Sequence, residues 1–131
     1  MSANRWLMIN HSYYKTKKQK VAQLIFDVLT QKKDVKTALK SFPTPDKDYS
    51  LKVAWHALVH YEADEDLRKN DCEYAIAQDE YLTFVAEQLS LNNELPDNII
   101  KEYIDIYDDT LISKKRSWKN LWGLFDKSLN I

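Results

Sequence analysis

Two histidines spaced four residues apart have the arrangement best suited to chemistry in this sequence. His56 and His60 stand at i and i+4, so in a helix both imidazoles lie on one face, one turn apart. That geometry suits two ligands of one metal ion, and imidazole also serves as a general acid or base near neutral pH. Tyr81 falls on the inward face of the next helical segment. The candidate catalytic residues are therefore His56, His60 and Tyr81.

Comparison with metal-site patterns weakens the metal interpretation of the two histidines. The zinc-protease signature has glutamate directly after the first histidine, whereas Ala57 stands there. A di-iron bundle needs Glu-x-x-His on two helices, and the sequence has no such pair. If the turn at 69–70 makes the flanking helices antiparallel, His60 lies level with Asp79, which falls on the polar face. We therefore expect histidines hydrogen-bonded to tyrosine or backbone, with no metal or other cofactor.

A second cluster is acidic. The run from Glu62 to Asp66 lies near Asp71 and Glu73, and carboxylate oxygens are the ligands of Mg²⁺ and Ca²⁺. The run lacks the glycine and the ligand spacing of a calcium-binding loop, so we expect a solvated helix end.

The C-terminal segment joins aromatic and basic residues. Trp118, Trp122 and Phe125 recur at helical spacing, just after Lys114, Lys115 and Arg116. Sixteen aromatic residues are many for a core of this size, and Trp and Tyr concentrate binding energy at interfaces. These six residues are the candidate partner-binding residues, with acidic groups such as Asp105, Asp108 and Asp109 of a neighbouring chain as their counterparts. The alternative is that the aromatic residues complete the core of the monomer.

Charge is segregated along a chain whose net charge is only −1. Residues 1–40 carry nine basic residues against two acidic ones, residues 41–112 carry 17 acidic against five basic, and residues 113–131 are basic again. The basic ends, with Tyr13, Tyr14 and Trp118 nearby, resemble nucleic-acid-binding surfaces in composition. The pI near 6.3 and the lack of a nucleic-acid-binding motif argue against that partner. A nucleic-acid-associated protein is therefore the less favoured alternative, and we expect no tight, salt-sensitive binding of nucleic acid.

The composition predicts helices. One glycine and three prolines are too few for the turns and bulges of a β-rich fold. Thr16, Asp34 and Asp71 are typical helix N-caps, and another helix starts near Asp46 or Asp48. Segments with 3.6-residue apolar spacing cover residues 16–31, 34–42, 46–68, 72–91 and the chain after Pro96. Whether 97–129 is one helix or two stays open.

We therefore predict an all-α protein: a compact bundle of four to five helices, mostly antiparallel, with helix 50–67 central because it is apolar on nearly every side. A single helical domain spans 1–131, and its first 14 residues show no clear helical pattern. The longest N-terminal apolar run, Trp6 to Ile9, is too short for a signal or membrane segment, and Cys72 is the only cysteine. We expect a cytoplasmic protein without a membrane partner.

The function class that the sequence favours is a non-enzymatic helical domain that binds another protein or forms a homodimer. The alternative is a metal-dependent or acid–base enzyme centred on His56 and His60.

Overall fold

A computed structural model of the protein describes residues 15–107. Within this range the chain forms six helices and no strand: α1 (Lys17–Leu29), α2 (Val35–Lys40), α3 (Tyr49–Ala63), α4 (Glu65–Asn70), α5 (Cys72–Ser90) and α6 (Asp97–Tyr107). The predicted all-α fold is confirmed. The last predicted segment, and with it the question of one helix or two after residue 97, lies mostly outside the described residues.

Side chains at the helix starts satisfy backbone N–H groups that have no partner inside the helix. Thr16 and Gln19 form a reciprocal capping box at α1, with the Gln19 N–H donating to Thr16 Oγ1 at 3.2 Å and the Thr16 N–H donating to Gln19 Oε1 at 3.1 Å. The predicted aspartate caps also accept from the third residue of their helices; they are Asp34, Asp48 and Asp71.

Two helices end in the left-handed conformation without glycine. Gln31 follows α1 with φ 64°, and Asn92 follows α5 with φ 61°. At α1 the Lys32 N–H donates to the Asp27 carbonyl and the Gln31 N–H to the Val28 carbonyl, which is the hydrogen-bond pattern of a Schellman motif. This chain therefore ends helices with glutamine and asparagine where glycine is the usual choice.

Helix α3 is the centre of the bundle, as predicted, since it contacts every other described helix. Its fully buried apolar residues lie on successive turns; they are Leu51, Val53, Ala54, Ala57 and Leu58. Trp55 covers the α2 side, where its ring meets Phe42 edge to face with centroids 5.3 Å apart. Apolar as α3 is, no helix among residues 15–107 is long and apolar enough to cross a membrane.

The predicted helix 50–67 is wrong as one continuous element, because the chain breaks at Asp64. There φ is −96° and ψ is 18°, and the carboxylate accepts hydrogen bonds from the Tyr74 hydroxyl and from Gln78 Nε2. Arg68 donates back to the Tyr61 carbonyl and to Gln78 Oε1. With these contacts to α5 and to the end of α3, residues 65–70 form a separate helix. The number of helices among the described residues is therefore above the predicted four to five.

Helices α1 and α5 form an antiparallel pair. At the start of α1 the Thr16 hydroxyl donates to Asn92 Oδ1, just after the end of α5, at 2.8 Å. Gln19 Nε2 donates to the Ser90 carbonyl at 3.3 Å. Between these ends the two helices bury Val21 and Ile25 of α1 with apolar residues of α5.

A charged junction ties three parts of the bundle together. Lys18 of α1 lies 2.7 Å from the Asp48 carboxylate and 3.2 Å from that of Glu94. Its hydrogen bond with Asp48 raises the pKa of Lys18 against the opposing effect of burial. The buried Ser50 hydroxyl donates to Glu94 and accepts from the Leu95 N–H. Basic and acidic blocks of the sequence therefore meet within one chain at this point.

We predict that Gln31→Gly stabilises the protein. A residue with a β-carbon in the left-handed region is strained by about 1–2 kcal/mol, and glycine relieves this while losing some backbone entropy. Thermal and urea unfolding should show a gain of about 0.5–1 kcal/mol.

The matched control for this change is Lys32→Gly. Lys32 is the next residue and does not have positive φ, so glycine there should leave stability unchanged or lower it. An equal gain in both variants, or a loss in Gln31→Gly, would contradict the assignment of strain to residue 31.

Candidate functional site

The two histidines of α3 are each hydrogen-bonded to a tyrosine of α6. Tyr103 Oη lies 2.7 Å from His56 Nδ1, and Tyr107 Oη lies 3.3 Å from His60 Nε2. The two histidines and the two tyrosines are each four residues apart, so the two hydrogen bonds between the helices lie one turn apart. The expected hydrogen bonds to tyrosine are confirmed, with partners from α6.

His56 Nδ1 has a second neighbour, the Lys52 carbonyl oxygen, at 3.2 Å. When Nδ1 carries a proton, it can donate to this backbone oxygen. When the proton is on Nε2, Nδ1 is an acceptor and the Tyr103 hydroxyl donates to it. Either neutral form therefore has a partner for Nδ1, which is why the ring fits a half-buried position.

Ring contacts extend these two pairs into one group. The rings of His56 and Tyr107 stack with centroids 4.2 Å apart and an interplanar angle of 24°. The rings of Tyr103 and Tyr107 lie 4.7 Å apart, and Tyr49 meets Tyr103 edge to face at 6.3 Å. We call these four residues, with His60, the His–Tyr cluster. The His–Tyr cluster packs α6 against α3.

Burial disfavours the charged form of both histidines. It lowers the pKa of His56 against a weaker raising effect of the Lys52 carbonyl. It also lowers the pKa of His60, where the Asp64 carboxylate opposes the shift and the neighbouring His56 adds to it. Burial therefore favours the neutral form of both rings, the state in which imidazole can accept a proton.

Tyr81 lies in the core, whereas the two histidines are half-buried. It is fully buried on α5, and this burial raises the pKa of its hydroxyl. Among residues 15–107 no three His, Cys, Asp or Glu side chains are grouped so that they could hold a metal ion. The described arrangement thus offers acid–base groups in the two His–Tyr pairs, with Tyr81 in the core.

Most acidic side chains that follow α3 are exposed to solvent. Glu65, Asp66, Asp71 and Glu73 are exposed, in agreement with the predicted solvated helix end. Asp64 is the exception, because its carboxylate accepts hydrogen bonds from α5.

The outer side of α5 carries an acidic surface. Its residues recur at alternating steps of three and four; they are Glu73, Ile76, Glu80, Thr83 and Glu87. We call this surface the acidic face of α5. Ile76, between Glu73 and Glu80 on this face, is 53 % exposed. None of the three glutamates has an ion pair or a side-chain hydrogen bond within the described residues.

The six candidate partner-binding residues lie outside the described residues: Lys114, Lys115, Arg116, Trp118, Trp122 and Phe125. The same holds for Asp108 and Asp109. Their proposed counterpart Asp105 is exposed near the end of α6.

The pairing of α3 with α6 was missed in the sequence, although a signal for it exists. Tyr103 and Tyr107 belong to the apolar stripe of α6 and repeat the four-residue spacing of the two histidines. When two helices carry polar side chains at the same spacing in otherwise apolar stripes, those side chains can form hydrogen bonds with each other as the helices pack. That signal favours α6 over α5 as the partner of His56 and His60.

No known family profile, curated protein or solved structure matches this chain.

We predict that the two histidines make the protein less stable in weak acid. Because burial lowers both pKa values, the folded protein binds fewer protons than the unfolded chain below the ordinary histidine pKa of about 6.5. The contribution of the two neutral histidines to stability is complete above that pKa. It is lost as the pH falls toward the lowered pKa values of the folded protein. In urea unfolding, the free energy of unfolding should fall as the pH is lowered from 7.5 to 5.5. The decrease should be at most about 1.4 kcal/mol per pH unit for each histidine.

The variant that tests this prediction is His56→Gln combined with His60→Gln, which should flatten the dependence on pH. Val59→Ala, between them on the same helix, is the control: it should lower stability equally at all pH values. If the double variant keeps the slope of the wild type, the histidines are not its source.

Proposed function

We propose that this protein is a non-enzymatic helical domain that acts by self-association. In the proposed contact, the basic and aromatic C-terminal segment of one copy binds the acidic face of α5 on another. The observation that carries the proposal is the exposed set of Glu73, Glu80 and Glu87, which has no basic partner among the described residues. Elsewhere in the bundle, acidic and basic groups do meet, as at Lys18 and Asp48.

Charge complementarity favours the C-terminal segment as the occupant of this face. Residues 113–131 carry five basic residues against one acidic residue, and three of them are consecutive at Lys114, Lys115 and Arg116. The basic side chains of α1 are less suitable, since Lys17 and Lys18 already pair with Asp46 and Asp48. Opposed charges of this kind speed association and set its orientation more than they raise affinity.

Apolar area supplies the affinity that surface charges lack. Ile76 gives the acidic face an exposed apolar side chain, and Trp118 and Trp122 of the facing segment are residues of the type that dominates binding energy. A few large aromatic side chains seated around one aliphatic residue, inside a charged rim, is a common interface pattern.

An acid–base enzyme centred on His56 and His60 is the second candidate. The 2.7 Å contact between Tyr103 and His56 and the lowered pKa of both histidines favour it. A substrate at His56 Nδ1 would have to displace the tyrosine that fastens α6, which is why we place it second. Stoichiometric zinc or iron in the purified protein, lost in a His60→Ala variant, would put it first.

Light scattering over a range of concentrations tests the self-association. We expect a mass above the 15.5 kDa of one chain, falling as salt is added because the contact is electrostatic. Reversal of Lys114, Lys115 and Arg116 to glutamate should give a monomer with unchanged helix content. Mixing this variant with a second one, in which Glu73, Glu80 and Glu87 are changed to lysine, should restore the larger mass.

A charge reversal elsewhere is the matched control for this experiment. Lys32, Lys36 and Lys40 are exposed on α2 and just before it, so changing all three to glutamate should leave association intact. A wild-type protein that stays monomeric, and that loses stability when Trp122 is truncated to alanine, would contradict self-association and make the C-terminal aromatic residues part of the monomer core.

A further inference from the structure

Three lysines, two near the start of α1 and one in the turn after it, line one cleft at the side of α1. The cleft has a volume of about 370 Å³ and lies between α1, the turn after it and the loop after α2. Its lining includes the basic residues Lys15, Lys20 and Lys33 and the apolar residues Leu24 and Pro43. This is a concave, partly apolar site with few charged groups, as small-molecule sites usually are.

A buried carboxylate holds one wall of the cleft in place. Asp27 is only 9 % exposed, and Gln23 Nε2, at 3.0 Å, donates to its Oδ1. Lys33 Nζ lies 3.7 Å from the other carboxylate oxygen, and the Lys33 backbone N–H donates to the Asp27 carbonyl at 3.1 Å. Two side chains of the lining are therefore positioned before any ligand binds, which lowers the entropy lost on binding.

The charge at the cleft fits a dianion. The three lysines and Asp27 together carry a net charge of +2, because Asp27 balances one ammonium group. Lys15 and Lys20 have no ion pair with any described residue, so their charge is available to a ligand. A phosphate monoester carries about −1.5 to −2 at neutral pH and has three acceptor oxygens.

We propose that this cleft binds the phosphate group of a small phosphorylated organic molecule. The phosphate accepts hydrogen bonds from Lys15, Lys20 and Lys33, and the Gln23 amide adds a neutral donor. The cleft is larger than a phosphate ion needs, and its apolar side at Leu24 and Pro43 has room for the organic part. A long nucleic acid fits less well, since the exposed surface of α5 is acidic and would repel a polyanion.

Titration of the full-length protein with glucose 6-phosphate, followed by NMR or calorimetry, tests the proposal. We expect saturable binding with shifts at residues of the cleft, weaker binding of inorganic phosphate and none of glucose. Lys33→Ala and Lys20→Gln should each weaken binding about tenfold, the factor expected from the loss of one charge-assisted hydrogen bond. Lys20 is exposed, so its variant keeps the fold even if Lys33→Ala is unstable.

Lys36→Ala is the matched control, because Lys36 is an exposed lysine outside the cleft; it should bind glucose 6-phosphate as the wild type does. The proposal is overturned if glucose 6-phosphate causes no saturable change, or if the control loses as much affinity as Lys20→Gln. It is also overturned if single-stranded DNA binds more tightly than glucose 6-phosphate and is unaffected by the cleft variants, which would indicate a general attraction for polyanions.

Discussion

An apolar helix with hardly any polar side must be covered all the way round, and this constraint organises the bundle. Between Leu51 and Leu58, α3 buries side chains on several faces, so each of the other described helices packs against some part of it. Ala54 and Ala57 keep the helix narrow, which lets its neighbours approach closely. The hydrophobic effect of this burial is the main favourable term of the fold, and the polar contacts select which arrangement of helices satisfies it.

Polar groups that lie close to this core form hydrogen bonds that connect the helices. His56 and His60 fasten α6 through tyrosine hydroxyls, Asp64 turns the chain toward α5, and Ser50 anchors the loop before α6. A polar group that is taken out of water is costly unless it is hydrogen-bonded. The residues that suggested chemistry in the sequence therefore act first in holding the fold together, and the unbalanced charges lie on outer surfaces, at the acidic face of α5 and the basic cleft of α1.

Local features of the sequence predicted the local features of the structure. The caps Thr16 and Asp34, the all-α class and the central position of α3 follow from side-chain chemistry near each residue and from apolar spacing. The break at Asp64 could not be predicted in this way, because the groups that stabilise it, Tyr74 and Gln78, belong to the next long helix. Apolar spacing tells which face of a helix is buried but not which neighbour covers it, so the tyrosine partners of the histidines were missed. The basic cleft is formed by three separate segments and is visible only once they pack together.

Hydrogen exchange of backbone amides tests the central claim, that α3 is the covered core on which the other helices depend. If this is right, the amides of residues 53–58 exchange most slowly in the protein and only through global unfolding, with a free energy equal to that from urea unfolding. The amides of α6, which contacts only α3 among the described helices, should exchange through smaller openings. Exchange of the α3 amides as fast as those of α6, or at free energies well below that of global unfolding, would contradict the account.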